Sequence, residues 1–226
     1  MEQLDQIAAI LALTMGAAWA SGINLYAAIF MLGFMGMSGN IDLPPGLEVL
    51  ANPMVLFAAG AMYVVEFFAD KIPGVDSGWD SIHTFIRIPA GAMLAAGAVG
   101  EVDPAVAVAA GILGGGLTAV THATKAGTRV LVNTSPEPFS NWTLSIGEDI
   151  AVIAGLWTAL NHPILFLAAL VLFIVLLIWF LPKLWRGIKG LFRKIYLLLG
   201  GREGEKDKAL KPVETENGEG GAPPQK

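Results

Sequence analysis

Seven ionisable side chains lie together in residues 66–87, between flanking residues 54–65 and 88–99 that carry no charge. Four of them have the spacing i, i+4, i+7 and i+11, which is one face of a helix: Asp76, Asp80, His83 and Arg87. Glu66 and Asp70 share a second face at the end of an apolar segment, where ionised groups are costly. The stretch is therefore either a solvated connection or a site whose carboxylates carry protons or cations.

A group of opposite charge follows later in the chain. His122, Lys125 and Arg129 have the spacing i, i+3 and i+7, and Glu148 and Asp149 lie at the start of the next apolar segment, on the same predicted side of the membrane. Pairing between these bases and acids would neutralise charge that is expensive when buried alone. The sequence predicts a polar cavity facing the cytoplasm. The alternatives are basic side chains that extend to the membrane surface and a histidine with a structural hydrogen bond.

Polar residues also interrupt the first apolar segment. Ser21, Asn24 and Tyr26 lie where Gly22 favours a break, and unwound backbone would expose carbonyl groups to an ion or a polar substrate. A helix kink without a ligand explains the pattern equally well.

Enzyme chemistry has less support. Asp76, Asp80 and His83 resemble a carboxylate and histidine set that suits a divalent metal, but such spacing arises easily by chance. The chain has no cysteine, which excludes thiolate metal sites and cysteine nucleophiles. It also lacks the local motifs of zinc proteases and serine hydrolases. An intramembrane metal-dependent hydrolase is the least favoured alternative, and no cofactor is expected.

The composition is that of a membrane protein. Of the 226 residues, 54% are hydrophobic and 15% are charged, and the mean hydropathy is +0.62. Soluble domains are about 25% charged. The formal net charge of −5 argues against nucleic-acid binding.

The apolar segments predict an all-α polytopic fold with about six transmembrane helices, since a span needs roughly 20 residues. The spans are residues 7–36, 53–69, 88–100, 104–133, 146–160 and 164–181. The third and fifth are short and need flanking polar residues. Pro53, Pro104 and Pro163 each follow a polar residue and indicate helix starts.

The distribution of basic residues predicts the orientation. With six spans and a cytoplasmic N-terminus, the outer connections contain no Lys or Arg, and all 14 basic residues fall on the cytoplasmic side. Residues 1–182 would form the transmembrane domain. We expect residues 183–199 to form a basic amphipathic helix at the inner membrane surface. We expect residues 200–226 to form a disordered cytoplasmic tail.

The chain also shows weak internal similarity. Residues 18–30 and 121–133 each place a small residue, a hydroxyl residue and a glycine within a long apolar segment, three spans apart. This pattern predicts a 3+3 inverted repeat with broken helices 1 and 4. Small-residue helices that pack closely in lipid would look the same.

Three motifs carry a family resemblance: "ASGINLYAAIF", "VEFFADKIPGVDSGWDSIHTFIRIPAGA" and "THATKAGTRVLVNTSPEPFSNW". Over about residues 13–181 the chain resembles a family of integral membrane proteins known as domain of unknown function 4126. The resemblance implies a multi-pass protein of the bacterial inner membrane, and it implies no activity, substrate or catalytic residue.

The sequence as a whole favours a small transporter or channel for an ion, a small polar solute or a lipid phosphate. The alternatives are a non-transporting membrane scaffold that binds a cytoplasmic partner, and the metal-dependent hydrolase. Membrane lipids are the expected partners, with a small polar or ionic substrate, and a homo-oligomer is compatible with the sequence.

Overall fold

The computed structural model describes residues 2–134 and 138–198, and within them the chain is helical with no β-strand. The described residues form six α-helices and one short 3-10 helix, Pro45–Ala51. The α-helices are α1 (Glu2–Met37), α2 (Pro53–Ala69), α3 (Val75–Ala98), α4 (Pro104–Val132), α5 (Pro138–Asn161) and α6 (Pro163–Leu198). The all-α prediction is confirmed.

Proline and a capping side chain set the predicted helix starts. α2, α4 and α6 begin at Pro53, Pro104 and Pro163, as expected. The side chains of Asn52 and Asp103 accept hydrogen bonds from backbone amides of the first turns, at 2.9 and 2.8 Å. α3 and α5 begin well before residues 88 and 146. Their additional turns are the flanking polar residues that the short spans needed.

Four of the described helices are long and apolar enough to cross a membrane, and the bent pair formed by the 3-10 helix and α2 raises the number to five. This is the composition of a multi-pass membrane protein. α3 does not qualify by composition, because its first half contains the charged face. The prediction of six spans therefore stays a prediction.

α1 lies at the centre of the fold and contacts α2, α3, α4, α5 and the 3-10 helix. It is bent at Asn24, whose backbone leaves the helical region with φ −146° and ψ 97°, so the predicted break in this helix is observed. α4 is a single continuous helix, and the break expected near His122 is absent. The inverted repeat stays a prediction.

Glycines bring α3 and α4 together. A Cβ atom added at Gly114 of α4 would overlap the Ala95 methyl of α3, and one added at Gly91 of α3 would overlap the Thr118 side chain. Close approach of the two backbones holds the charged face of α3 against α4.

The C-terminal boundary at residues 182/183 is not marked by a break in the helix. α6 continues through Pro182 as far as Leu198, and the compact unit that contains the bundle ends at Ile188. The predicted domain limits stay predictions, and the predicted tail, residues 200–226, lies outside the described residues.

Candidate functional site

The charged face of α3 points into the protein. Four of its residues are buried, with 0–3% of their surface exposed: Asp76, Asp80, His83 and Arg87. The face predicted from their spacing is therefore present, and the alternative of a solvated connection is wrong. The α3 face is the first component of a larger network.

Within residues 2–134 and 138–198, nine ion pairs of at most 4.0 Å link three bases and five acids into the buried charge network. The bases are Arg87, Lys125 and Arg129, and the acids are Glu66, Asp70, Asp76, Asp80 and Glu148. The side chain of Glu148 is 13% exposed, and those of the other members are 0–4% exposed. These charges are enclosed within the protein, and each base lies among acids. The polar cavity facing the cytoplasm stays a prediction.

Arg87 joins α3 to α2 and α1. Its guanidinium forms an ion pair with Glu66, and its Nη1 lies 3.3 Å from Asp80 Oδ1. The same nitrogen donates a hydrogen bond of 3.1 Å to the carbonyl oxygen of Ile23. Arg87 thus connects two acids to the bend in α1.

Lys125 of α4 lies among four carboxylates. Its Nζ is 2.9 Å from Asp70, 3.3 Å from Glu66, 3.6 Å from Glu148 and 3.8 Å from Asp80. It also donates a 2.9 Å hydrogen bond to the Ile23 carbonyl. The carbonyl freed by the bend in α1 is therefore occupied by the protein's own cations.

Arg129 is one turn further along α4. It contacts Asp70 Oδ2 at 3.1 Å, forms an ion pair with Glu148 and lies 3.8 Å from Asp76. It also donates a 2.6 Å hydrogen bond to the backbone carbonyl of Asp70.

Burial tends to raise the pKa of the Asp70 carboxyl, but the charges of Lys125 and Arg129 outweigh it and lower that pKa below its ordinary value.

Asn24 satisfies the polar groups at the bend. Its side-chain oxygen accepts a 3.0 Å hydrogen bond from the Ala27 amide, and its amide nitrogen donates one of 3.0 Å to Asp149. Ser21 donates a long 3.4 Å hydrogen bond to the Arg87 carbonyl. Ser21, Asn24 and Asp149 thus form hydrogen bonds within the protein at the bend, and their role as ligand-binding residues stays a prediction.

Of the two predicted histidines, His122 contacts the network and His83 bonds to groups outside it. His122 Nδ1 lies 3.2 Å from Arg87 Nη1, and because guanidinium only donates, this nitrogen is an acceptor. His122 Nε2 is 2.8 Å from the Thr84 hydroxyl. His83 Nδ1 contacts the Trp79 carbonyl at 2.9 Å, and its Nε2 contacts the Tyr26 hydroxyl at 3.0 Å.

Two asparagines that the sequence analysis did not assign to the site hold Asp76. Asn133 donates to both oxygens of its carboxylate at 2.8 and 3.0 Å, and Asn141 donates at 3.3 Å. Both lie near the connection between α4 and α5, and asparagine is common in such connections. The sequence therefore gave no sign that these two asparagines bind a buried carboxylate.

Lys71 was also missed as part of the site, although its charge was evident. It is buried, its Nζ lies 3.0 Å from the centre of the Phe67 ring, and its contact with the Ser145 hydroxyl is 3.4 Å. Burial lowers the pKa of this ammonium.

A cavity of about 690 Å³ opens between α4 and α5 beside the network. Lys125 and Glu148 contribute to its wall. The other lining residues are apolar or carry a hydroxyl group: Ile23, Thr121, Thr124, Thr128, Val132, Phe139, Ser140, Thr143, Leu144, Gly147, Ala151 and Phe173.

The metal hypothesis gains no support from this geometry. Among the residues that the structure describes, no three His, Asp or Glu side chains are arranged to hold a metal ion. Asp80 lies beside Arg87, Asp76 accepts from asparagines, and His83 contacts Tyr26. The three predicted ligands thus have separate surroundings.

Comparison with known proteins identifies a family. The model of a family described as Domain of unknown function (DUF4126) matches residues 11–183. Neither a curated protein nor a solved structure matches the chain. Because the match covers most of the sequence, the chain belongs to this family.

Proposed function

We propose that this member of the DUF4126 family is a membrane transporter whose buried charge network binds a proton or another cation during transport. The observation that carries the proposal is the excess of acid. Five carboxylates against three bases leave a formal charge of −2 in the described network when every group is ionised. An uncompensated charge of this kind is expensive inside a protein that spans a membrane.

The carboxylate oxygens support the same conclusion. Within residues 2–134 and 138–198, buried Glu66 Oε2, Asp70 Oδ1 and Asp80 Oδ2 accept no hydrogen bond, and Asp80 Oδ1 has ion-pair contacts of 3.3 Å to Arg87 and 3.8 Å to Lys125 without a hydrogen bond. Buried polar atoms are normally satisfied. A proton or a cation on this cluster supplies the missing partner and reduces the excess charge.

We also propose that the chain crosses the membrane six times, with α3 as the crossing that composition alone does not identify. The charges of α3 are turned toward α1, α2 and α4, while its exposed residues include the apolar Ile82, Phe85 and Met93. The positive-inside rule then supports cytoplasmic termini, and the family resemblance supports the bacterial inner membrane as the location that we propose.

The test is proton movement in vesicles that contain the purified full-length protein. Under an imposed membrane potential, the wild-type protein should change the pH inside the vesicles, and Glu66→Gln should slow the change by about tenfold or more, because one proton-binding carboxylate is lost. Glu148→Gln is the second variant. Glu101→Gln, at an exposed position between α3 and α4, is the matched control.

Folding is checked in the same preparations by gel filtration and thermal unfolding. Flux equal to that of empty vesicles under proton, sodium and potassium gradients would contradict the proposal. A scaffold that moves no ion would give that result.

A further inference from the structure

We propose, building on the proposed transport function, that the cavity between α4 and α5 binds an amphipathic cation. Its apolar body would lie between Phe139 and Phe173, and its charged group would lie beside Glu148. The inference is carried by the shape and lining of the cavity and by the charge at its wall.

The cavity has the dimensions of a small-molecule site. Its volume of about 690 Å³ lies within the range of roughly 300–1,000 Å³ usual for ligand pockets. It lies between two helices that are both candidate membrane spans, so a ligand that partitions into lipid reaches it. Apolar walls with interspersed hydroxyl groups favour an amphipathic molecule over a strongly hydrated ion.

The charge at the wall favours a cation over an anion. Lys125 is the basic residue of the lining, but four carboxylates lie within 4 Å of its Nζ. A phosphate or carboxylate at this wall would therefore meet an excess of negative charge. A cation would reduce that excess.

Glu148 is the network acid placed to meet the ligand. It lines the cavity and its side chain is 13% exposed, against 0–4% for the other acids of the described network. Its ion pairs with Lys125 and Arg129 are made by Oε2, and within residues 2–134 and 138–198 no ion pair uses Oε1, which leaves this oxygen for a further contact.

The aromatic lining suits the apolar part of the ligand. Phe139 and Phe173 both line the cavity, and large aromatic side chains supply much of the apolar contact area of a binding site. Protons and the organic cation then compete for the same acidic network, which couples binding of one to release of the other.

The experiment uses two probes of similar shape and opposite charge, tetraphenylphosphonium and tetraphenylborate, with the full-length protein in lipid nanodiscs. Tetraphenylphosphonium should bind saturably and about tenfold or more tighter than tetraphenylborate, because only the cation is stabilised by the acidic wall. Its affinity should fall by about tenfold in Glu148→Gln. Equal binding of the two probes, or an unchanged affinity in the variant, would overturn the inference.

A second variant guards against misfolding of Glu148→Gln. Gly147 lines the cavity and a Cβ added there meets open space, so Gly147→Leu should fill the cavity and weaken tetraphenylphosphonium binding without touching the ion pairs. Gly116→Leu, at another open position, should bind as the wild-type protein does. Equal affinity in both leucine variants would also overturn the inference.

The binding experiment and the flux experiment test the two proposals independently. Proton flux without tetraphenylphosphonium binding would overturn the cavity assignment and leave the transport proposal standing. Charge-selective binding without ion flux would do the reverse.

Discussion

Glu66 of α2 and Arg87 of α3 form an ion pair in which both side chains are completely shielded from solvent. Arg87 also lies 3.3 Å from Asp80, and Glu66 also contacts Lys125. Each partner therefore belongs to a network rather than to an isolated pair, and the two partners are not equivalent, because acids outnumber bases.

Removing the base should cost more stability than removing the acid. Arg87→Met leaves Glu66 and Asp80 short of positive charge and should lower the free energy of unfolding by about 3–5 kcal/mol. Glu66→Gln relieves part of the acid excess and should cost only about 1–2 kcal/mol. Thermal unfolding in nanodiscs measures both effects.

Adding Glu66→Gln to Arg87→Met should recover part of the loss, because the two sites are coupled. Arg186→Met, at an exposed position of α6, is the control and should leave unfolding unchanged. A greater loss for Glu66→Gln than for Arg87→Met would contradict the described balance of charge.

The glycines of α4 should differ in their tolerance of alanine. Gly114→Ala places a methyl against Ala95 of α3 and should destabilise the protein by about 1–3 kcal/mol, as overpacking does. Gly116→Ala, two residues later, meets open space and should be neutral or slightly stabilising. If the two variants unfold at the same temperature, α3 and α4 do not pack at Gly114.

The bend in α1 should depend on the Asn24 side chain. Asn24→Ala removes the hydrogen bonds to Ala27 and Asp149 and should cost about 1–3 kcal/mol, because buried polar groups lose their partners. Asn24→Asp should cost more, since it places a second carboxylate beside Asp149. Asn40→Ala, at an exposed position after α1, is the control in the thermal unfolding assay.

Protonation of the Asp70 carboxylate should lower the free energy of unfolding at acidic pH. Its pKa in the folded protein is below the ordinary value of 3.8, so the unfolded state binds protons more readily than the folded state. The stabilisation is fully present above that ordinary value and is lost as the pH falls through the lower folded pKa. Unfolding followed from neutral pH to about pH 3 should show a shallower acid loss in Asp70→Asn, and the same steepness in exposed Asp5→Asn. A wild-type slope in Asp70→Asn would contradict the assignment.

The proposed orientation is testable by cysteine labelling, because the chain has no native cysteine. Cysteines at the exposed positions Ser38 and Glu101 should react with an impermeant maleimide added outside intact cells. A cysteine at exposed Gly78 should react only after the membrane is opened. The reverse pattern would overturn the topology.

The sequence alone contains the family motifs and the composition of a membrane protein. It also predicted several helix starts correctly. Proline acts at its own position, so Pro53, Pro104 and Pro163 mark helix ends locally. The helical spacing of residues is also a local property, so the charged face of α3 could be predicted from the positions of its four residues in the sequence. The break at Asn24 was predicted from nearby small and polar residues, but the same logic wrongly placed one in α4, where glycines serve close packing with α3 instead.

The sequence by itself determined which segments are apolar, which residues share a helix face, and that acids and bases were available to pair. Only the tertiary structure decided which acid meets which base, because Glu66, Arg87 and Lys125 come from three helices whose relative positions no local pattern encodes. It also decided that the α3 charges are buried, that Asn133 and Asn141 hold Asp76, and that a cavity lies beside Glu148. Burial and ion pairing depend on contacts between residues far apart in the chain, so they arise only when the helices pack.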